Sequence, residues 1–132
     1  MNLQRPISQV LRLPSASSTK LIDAATSTST APSTPSDGVD VAGAIGVHLC
    51  ARVQAADLLK AAQLRVWVYM PSSGKWVAYT TVTLNKLDIT GESGEYRVLE
   101  LALVGYSRMA LSISSIDAGL TLTVWAEKVV NQ

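Results

Sequence analysis

The sequence predicts an all-β protein: an antiparallel β-sandwich, jelly-roll-like, with an extended N-terminal arm. Three observations carry that reading. From residue 46 to residue 130 apolar side chains recur largely at every second position, the spacing that sends neighbours to opposite faces of a strand. These runs are seven to ten residues long and are separated by Pro, Gly, Asn and Asp. No stretch sustains a long amphipathic helical pattern, which favours sheet packed on sheet over helix on sheet.

Taken in order, residues 1–18 form an arm and residues 19–132 the sandwich domain. The arm scatters Leu3, Ile7, Val10, Leu11 and Leu13 between Pro6 and Pro14 without lasting periodicity. Residues 20–25 are expected to make a short first strand. Residues 26–38, rich in Ser, Thr and Pro, are too polar to pack a core and read as a loop. In 47–54, Val47, Leu49, Ala51 and Val53 share one face, and His48, Cys50, Arg52 and Gln54 the other. Residues 55–63 suit one or two helical turns. Residues 64–70 and 75–84 flank Pro71-Ser72-Ser73-Gly74, where Pro presets φ and Gly accepts a positive one, so a hairpin is expected. Residues 85–95 read as a loop. In 96–104, Val98, Ala102 and Val104 lie on one side and Leu99, Leu101 and Leu103 on the other. A strand apolar on both sides is expected to be covered on both, here by an arm, an added element or another subunit. Residues 109–116 and 120–129 complete the set, joined by a tight hairpin turn at Asp117-Ala118-Gly119.

At 132 residues the chain supplies one core. Its net charge of +1 comes from scattered residues, with no basic stripe for a run of phosphates, so nucleic acid is not the expected partner. Charged residues make up 16%, against about 25% in an ordinary soluble domain, and this points to surface hidden in an assembly. The first residues lack the pattern of a secretory leader, and no window approaches the roughly 20 apolar residues of a membrane span. The single cysteine, Cys50, suits synthesis in a reducing cytoplasm.

Chemistry is sparse. His48 and Cys50 are the only residues of their kinds and lie two apart on one strand, roughly 6.5–7 Å along it, too far for a direct thiolate–imidazole pair. Two such residues cannot make a structural zinc site. Asp88, Glu92 and Glu95 offer oxygen ligands but lack the spacing of a calcium-binding EF-hand loop, and Asp37 and Asp40 are no stronger. No catalytic residue, metal or cofactor is therefore assigned. The aromatics are better candidates: Trp67 and Tyr69 share the face opposite Leu64, Val66 and Val68, and Trp125 shares its face with Thr121, Thr123 and Glu127. Turned outward, they would seat a partner protein or stack on sugars.

The run Gly105-Tyr106-Ser107-Arg108, leading into Met109-Ala110-Leu111-Ser112-Ile113, resembles a "GYxR" corner of small β-sandwich structural proteins of tailed-bacteriophage particles. Leu120-Thr121-Leu122-Thr123-Val124-Trp125-Ala126 is similar to the Thr/Val-rich strand that closes those domains. Residues 19–25 and 36–44 resemble their opening strands, and Gly74-Lys75-Trp76-Val77 their hairpin. The resemblance spans about residues 19–128; the arm departs from it. It implies a non-enzymatic virion protein, made in the host cytoplasm, that decorates or cements a capsid as a trimer or dimer. Its partners would be the major capsid protein or other virion proteins; the residues themselves, not the resemblance, offer Leu3, Ile7, Val10, Leu11 and Leu13 of the arm and Trp67, Tyr69 and Trp125 as the contacts. A head–tail connector or tail component is the near alternative. A carbohydrate-binding module using Trp67, Tyr69 and Trp125 is the alternative from another class.

Overall fold

Alternating strands build two four-stranded sheets in the computed structural model, which describes residues 18–130. The strands are β1 (Ser18–Ala25), β2 (Val39–Asp40), β3 (Ala44–Gln54), β4 (Ala61–Met70), β5 (Lys75–Asn85), β6 (Tyr96–Leu101), β7 (Arg108–Ile116) and β8 (Thr121–Val130). One sheet runs β1-β8-β3-β6 and the other β2-β7-β4-β5, with every pairing antiparallel. Only β4 and β5 follow one another within a sheet; every other connection crosses between the two. That order is two interleaved Greek keys, the jelly roll expected from the sequence.

Alternation explains the core. Val47, Leu49, Ala51 and Val53 of β3 turn inward with Leu64, Val66 and Val68 of β4, Met109 and Ile113 of β7, and Leu122 and Val124 of β8. Leu49, Leu64 and Leu122 are fully buried, each contributing about 1.5–3 kcal/mol of transfer free energy. The β4–β5 hairpin closes as read: Gly74 donates its N–H to Met70 O at 2.9 Å with φ +67°. The arm, with Leu3, Ile7, Val10, Leu11 and Leu13, lies outside the described residues.

Three expectations need correction. Residues 55–60 form no helical turn, and β4 begins at Ala61. Ala61–Gln63 is claimed by pairing on both sides, to Asn85, Leu84 and Thr83 of β5, and Ala62 and Gln63 to Ile116 and Ser115 of β7, which overrides helix propensity. Residues 85–95 are not all loop, because Lys86–Ser93 forms a short helix, α1. It is held by burial of Ile89 and by the Lys86 amine, which donates to Val53 O and Gly94 O, both at 3.1 Å. Residues 117–119 do turn, with Leu120 N–H donating to Asp117 O, but β7 and β8 belong to different sheets, so the turn joins layers rather than a hairpin.

A further expectation concerns β6, whose second cover was to come from an arm, an added element or another subunit. Leu101 and Leu103 turn inward and are buried, as the alternation requires. Val98 and Val104 stand 64% and 63% exposed, and no described residue supplies the expected second cover. β6 is an edge strand, and among the described residues its outer face has no layer above it and its free edge no strand beside it.

Candidate functional site

The two sheets present two outer faces, and the structure divides the aromatic residues between them. Trp67 and Tyr69 stand on the outer face of the β2-β7-β4-β5 sheet, while Trp125 stands on that of the β1-β8-β3-β6 sheet. They do not form one platform.

On the first face the rings are already engaged. Trp67 Nε1 donates to Ser112 Oγ at 2.9 Å, and the Arg65 guanidinium lies 5.8 Å from the Trp67 ring centre. Tyr69 meets Trp76 edge-on, with centroids 5.4 Å apart and planes at 66°. Trp76 Nε1 donates to Thr34 O at 2.8 Å, tying the Ser/Thr/Pro-rich loop to the sheet. Arg108 fastens the same loop, donating to Pro35 O and Gly38 O. The Asp37 carboxylate accepts the N–H groups of Ser33 and Thr34, each at 2.8 Å. Those bonds, Thr34 first and Ser33 second, hold the Asp37 carboxyl below its ordinary value. Gly38 is required by close approach: a Cβ there would fall 2.3 Å from the tip of Trp76 and 2.6 Å from Met109 O. Crossed rings with occupied polar tips are a poor surface for a sugar, which needs open ring faces.

No described element covers the second face. His48 of β3 lies between Glu100 of β6 and Glu127 of β8 in the register, and Cys50 lies between Val98 and Trp125. Trp125 and Tyr96 incline toward one another at 6.4 Å, with Lys20 over the Trp125 ring and Arg52 over the Tyr96 ring. Arg52 is held by Glu95 at 2.9 Å and Lys20 pairs with Asp23 at 3.5 Å. A depression of about 350 Å³ is lined by His48, Cys50, Val98, Trp125 and Glu127. A second, of about 330 Å³, shares His48 and continues to Ile45, Ala102 and Val129. The result is a shallow apolar groove along β3 with carboxylates at its rim.

The remaining candidates serve local structure. Burial, and then the Glu127 carboxylate, push the Cys50 thiol up, which keeps it protonated and a weak nucleophile. Asp88 accepts from Asn85 Nδ2 at 3.2 Å, Glu95 is bound to Arg52, and the Glu92 side chain lies outside the described residues. Asp40 Oδ1 accepts from Ala42 N–H at 2.8 Å. The described residues contain no cluster of three or more His, Cys, Asp and Glu able to hold a metal ion. Sequence reasoning put Glu127 beside Trp125 but missed Ile45, Tyr96 and Glu100 as members of the same surface. Their positions alternate visibly, but only the strand register places them side by side.

No family model and no curated protein sequence matches this chain. Its fold is similar to that of YomS, an SPBc2 prophage-derived protein, with a TM-score of 0.51 and 13% identity over 83% of this chain and 89% of that one. CBM28, a carbohydrate-binding module specific for non-crystalline cellulose, aligns with a TM-score of 0.48 and 12% identity over 70% of this chain and 60% of that one. A mutant of a family 29 carbohydrate-binding module gives 0.37 and 10%, over 87% and 91%. The likeness to YomS is one of fold: this chain is a β-sandwich.

Proposed function

We propose that this jelly roll is a non-enzymatic structural protein of a bacteriophage particle, decorating or cementing the capsid through contacts that bridge subunits. The observation that carries the reading is the apolar strip on and beyond edge strand β6 that the described residues leave uncovered, where Val98, which lines the groove, and Val104 are 64% and 63% exposed. An apolar surface of that kind, on a domain poor in charge, is characteristic of a protein contact. The resemblance of residues 105–126 to phage sandwich proteins supports the reading, and the fold shared with a prophage-derived protein is in keeping with it. Its action would be thermodynamic: a protein that binds only the assembled shell stabilises that shell by mass action. The partner would be the major capsid protein or another virion protein, met by a trimer or dimer of this chain. The raised thiol of Cys50 is in keeping with a non-catalytic role for that residue.

The test is binding to shells. Purified full-length chain, mixed with capsids of the phage that encodes it, is expected to sediment with them and to raise the temperature at which they rupture. A chain left wholly in the supernatant at saturating concentration overturns the reading. Recovery on purified tails alone would move the protein to the neck or tail. Quenching of tryptophan fluorescence by oligosaccharides would favour the carbohydrate-binding alternative.

A further inference from the structure

We propose that the groove along β3 on the open face receives the N-terminal arm of a second copy of this chain, so that copies are laced together by exchanged arms. This deepens the assembly reading above, although it concerns contacts between copies rather than with a shell. Three features argue for that occupant. The first is shape. The two depressions meet at His48 and run from Trp125 to Ile45, a trough whose long axis follows a strand. From Cys50 to Ile45 the strand rise gives about 17 Å, room for five or six extended residues and too narrow for a domain.

The second feature is chemistry. The trough is apolar along its floor and acidic at its rim, where Glu100 and Glu127 flank His48 without an ion pair among the described residues. Residues 1–17 contain Leu3, Ile7, Val10, Leu11 and Leu13, two arginines (Arg5 and Arg12) and no acid. In an extended segment Ile7, Leu11 and Leu13 fall on one side, so one side could enter the trough while Arg12 reaches its rim. Apolar floor would meet apolar anchors, and the carboxylates at the rim would meet the positive charge of the arginines.

The third feature is direction and reach. β1 pairs Ser18 with Glu127 and Ala25 with Leu122, so at Ser18 the strand, followed toward its N-terminus, points to the Val130 end of β8 and away from Trp125. Seventeen residues reach at most about 60 Å, several times the roughly 14 Å breadth of a four-stranded face. The arm is long enough to reach a neighbour, and entering its own trough would require reversal.

Cys50, the sole cysteine and part of the trough floor, makes the proposal testable on the full-length protein. A donor chain carries Cys50→Ala and one arm cysteine, Ile7→Cys, Val10→Cys or Leu13→Cys; the acceptor is the natural chain. Both are co-expressed, purified and mildly oxidised, and linked peptides are identified by mass spectrometry. The expected result is a covalent heterodimer joining the arm to Cys50, formed best at one arm position. It should be lost when the acceptor carries Val98→Asp, a solvent-facing substitution checked for folding by circular dichroism. Absence of any arm-to-Cys50 link at all three positions overturns the groove assignment. A link formed only within one chain, when arm cysteine and Cys50 are placed together, overturns the second copy in favour of the chain's own arm. Shell binding without cross-linking would remove arm exchange alone, and cross-linking without shell binding would remove the capsid reading alone.

Discussion

The two outer faces of this sandwich start from similar material and end differently. Each carries aromatic rings beside cationic side chains on a twisted antiparallel sheet. On the face built by β2, β7, β4 and β5, the Ser/Thr/Pro-rich loop meets Trp76, and the polar tips of Trp67 and Trp76 find protein partners. On the face built by β1, β8, β3 and β6 no described element lies over the strands, and Val98 remains open beside Trp125. The lesson is that aromatic content does not mark a binding face. What separates the two is whether a loop of the same chain has already taken the contact.

If Trp76 is the clamp of the covered face, removing it should produce the largest effect. Trp76→Ala is expected to lower unfolding free energy by about 3 kcal/mol, the low end for a large aromatic because the ring is half-buried. Denaturant titration measures the loss, and amide exchange should show protection falling first at the 33–38 turn. Gly38→Ala attacks the same contact from the other side. Its Cβ would meet both the indole tip and Met109 O, and overpacking of this kind costs about 1–3 kcal/mol. Because the two residues touch, Gly38→Ala combined with Trp76→Ala should lose less than the sum, and strict additivity would show that the clamp is misassigned. Arg108→Leu, which deprives the carbonyls of Pro35 and Gly38 of a charged donor, should follow at about 1.5 kcal/mol by the same titration.

These residues also show how far the sequence was legible. The period-2 runs were, and with them the sandwich and its hairpin, because alternation is a local property of each strand. Trp76 and Arg108 stood out only as parts of short motifs. Their task, to fasten a loop whose composition alone suggests no packing, depends on bringing residues 34–38 against β5 and β7, a contact between positions about 40 to 70 apart. Helix α1 escaped notice for a related reason. Lys86–Ser93 has a weak apolar pattern with a β-branched pair and Gly91, and it is stabilised from outside through Ile89 and the Lys86 amine. The 55–63 stretch erred the other way, its helix-favouring alanines overruled by strand partners on both sides. The open groove was illegible as a site because its members come from three strands whose neighbours only the jelly-roll order decides.

A gentler probe of the covered face is pH. The Asp37 carboxyl titrates below its unfolded value near 3.8, because its charged form accepts the N–H groups of Thr34 and Ser33. A depressed carboxyl lends stability that is fully present above 3.8 and disappears as pH falls through the lowered folded value. Exchange at Ser33 and Thr34 should therefore quicken relative to the pH-matched intrinsic rate across that acid window. In Asp37→Asn that acid-induced step should be absent.

The smallest effect on stability is expected on the open face, and there the comparison is sharpest. Val98→Ser should change the unfolding free energy of the isolated protein by no more than about 0.5 kcal/mol, since the side chain is 64% exposed and contributes little to the core. Ser at the same depth within the covered face would forfeit packing against other residues; here there is none to forfeit. If Val98 faces a neighbouring copy, the same substitution should instead make stability and mass lose their dependence on protein concentration, as analytical ultracentrifugation alongside denaturation would detect. A loss well above 0.5 kcal/mol in dilute solution would mean that Val98 is already covered within its own chain, and that the two faces differ less than their geometry implies.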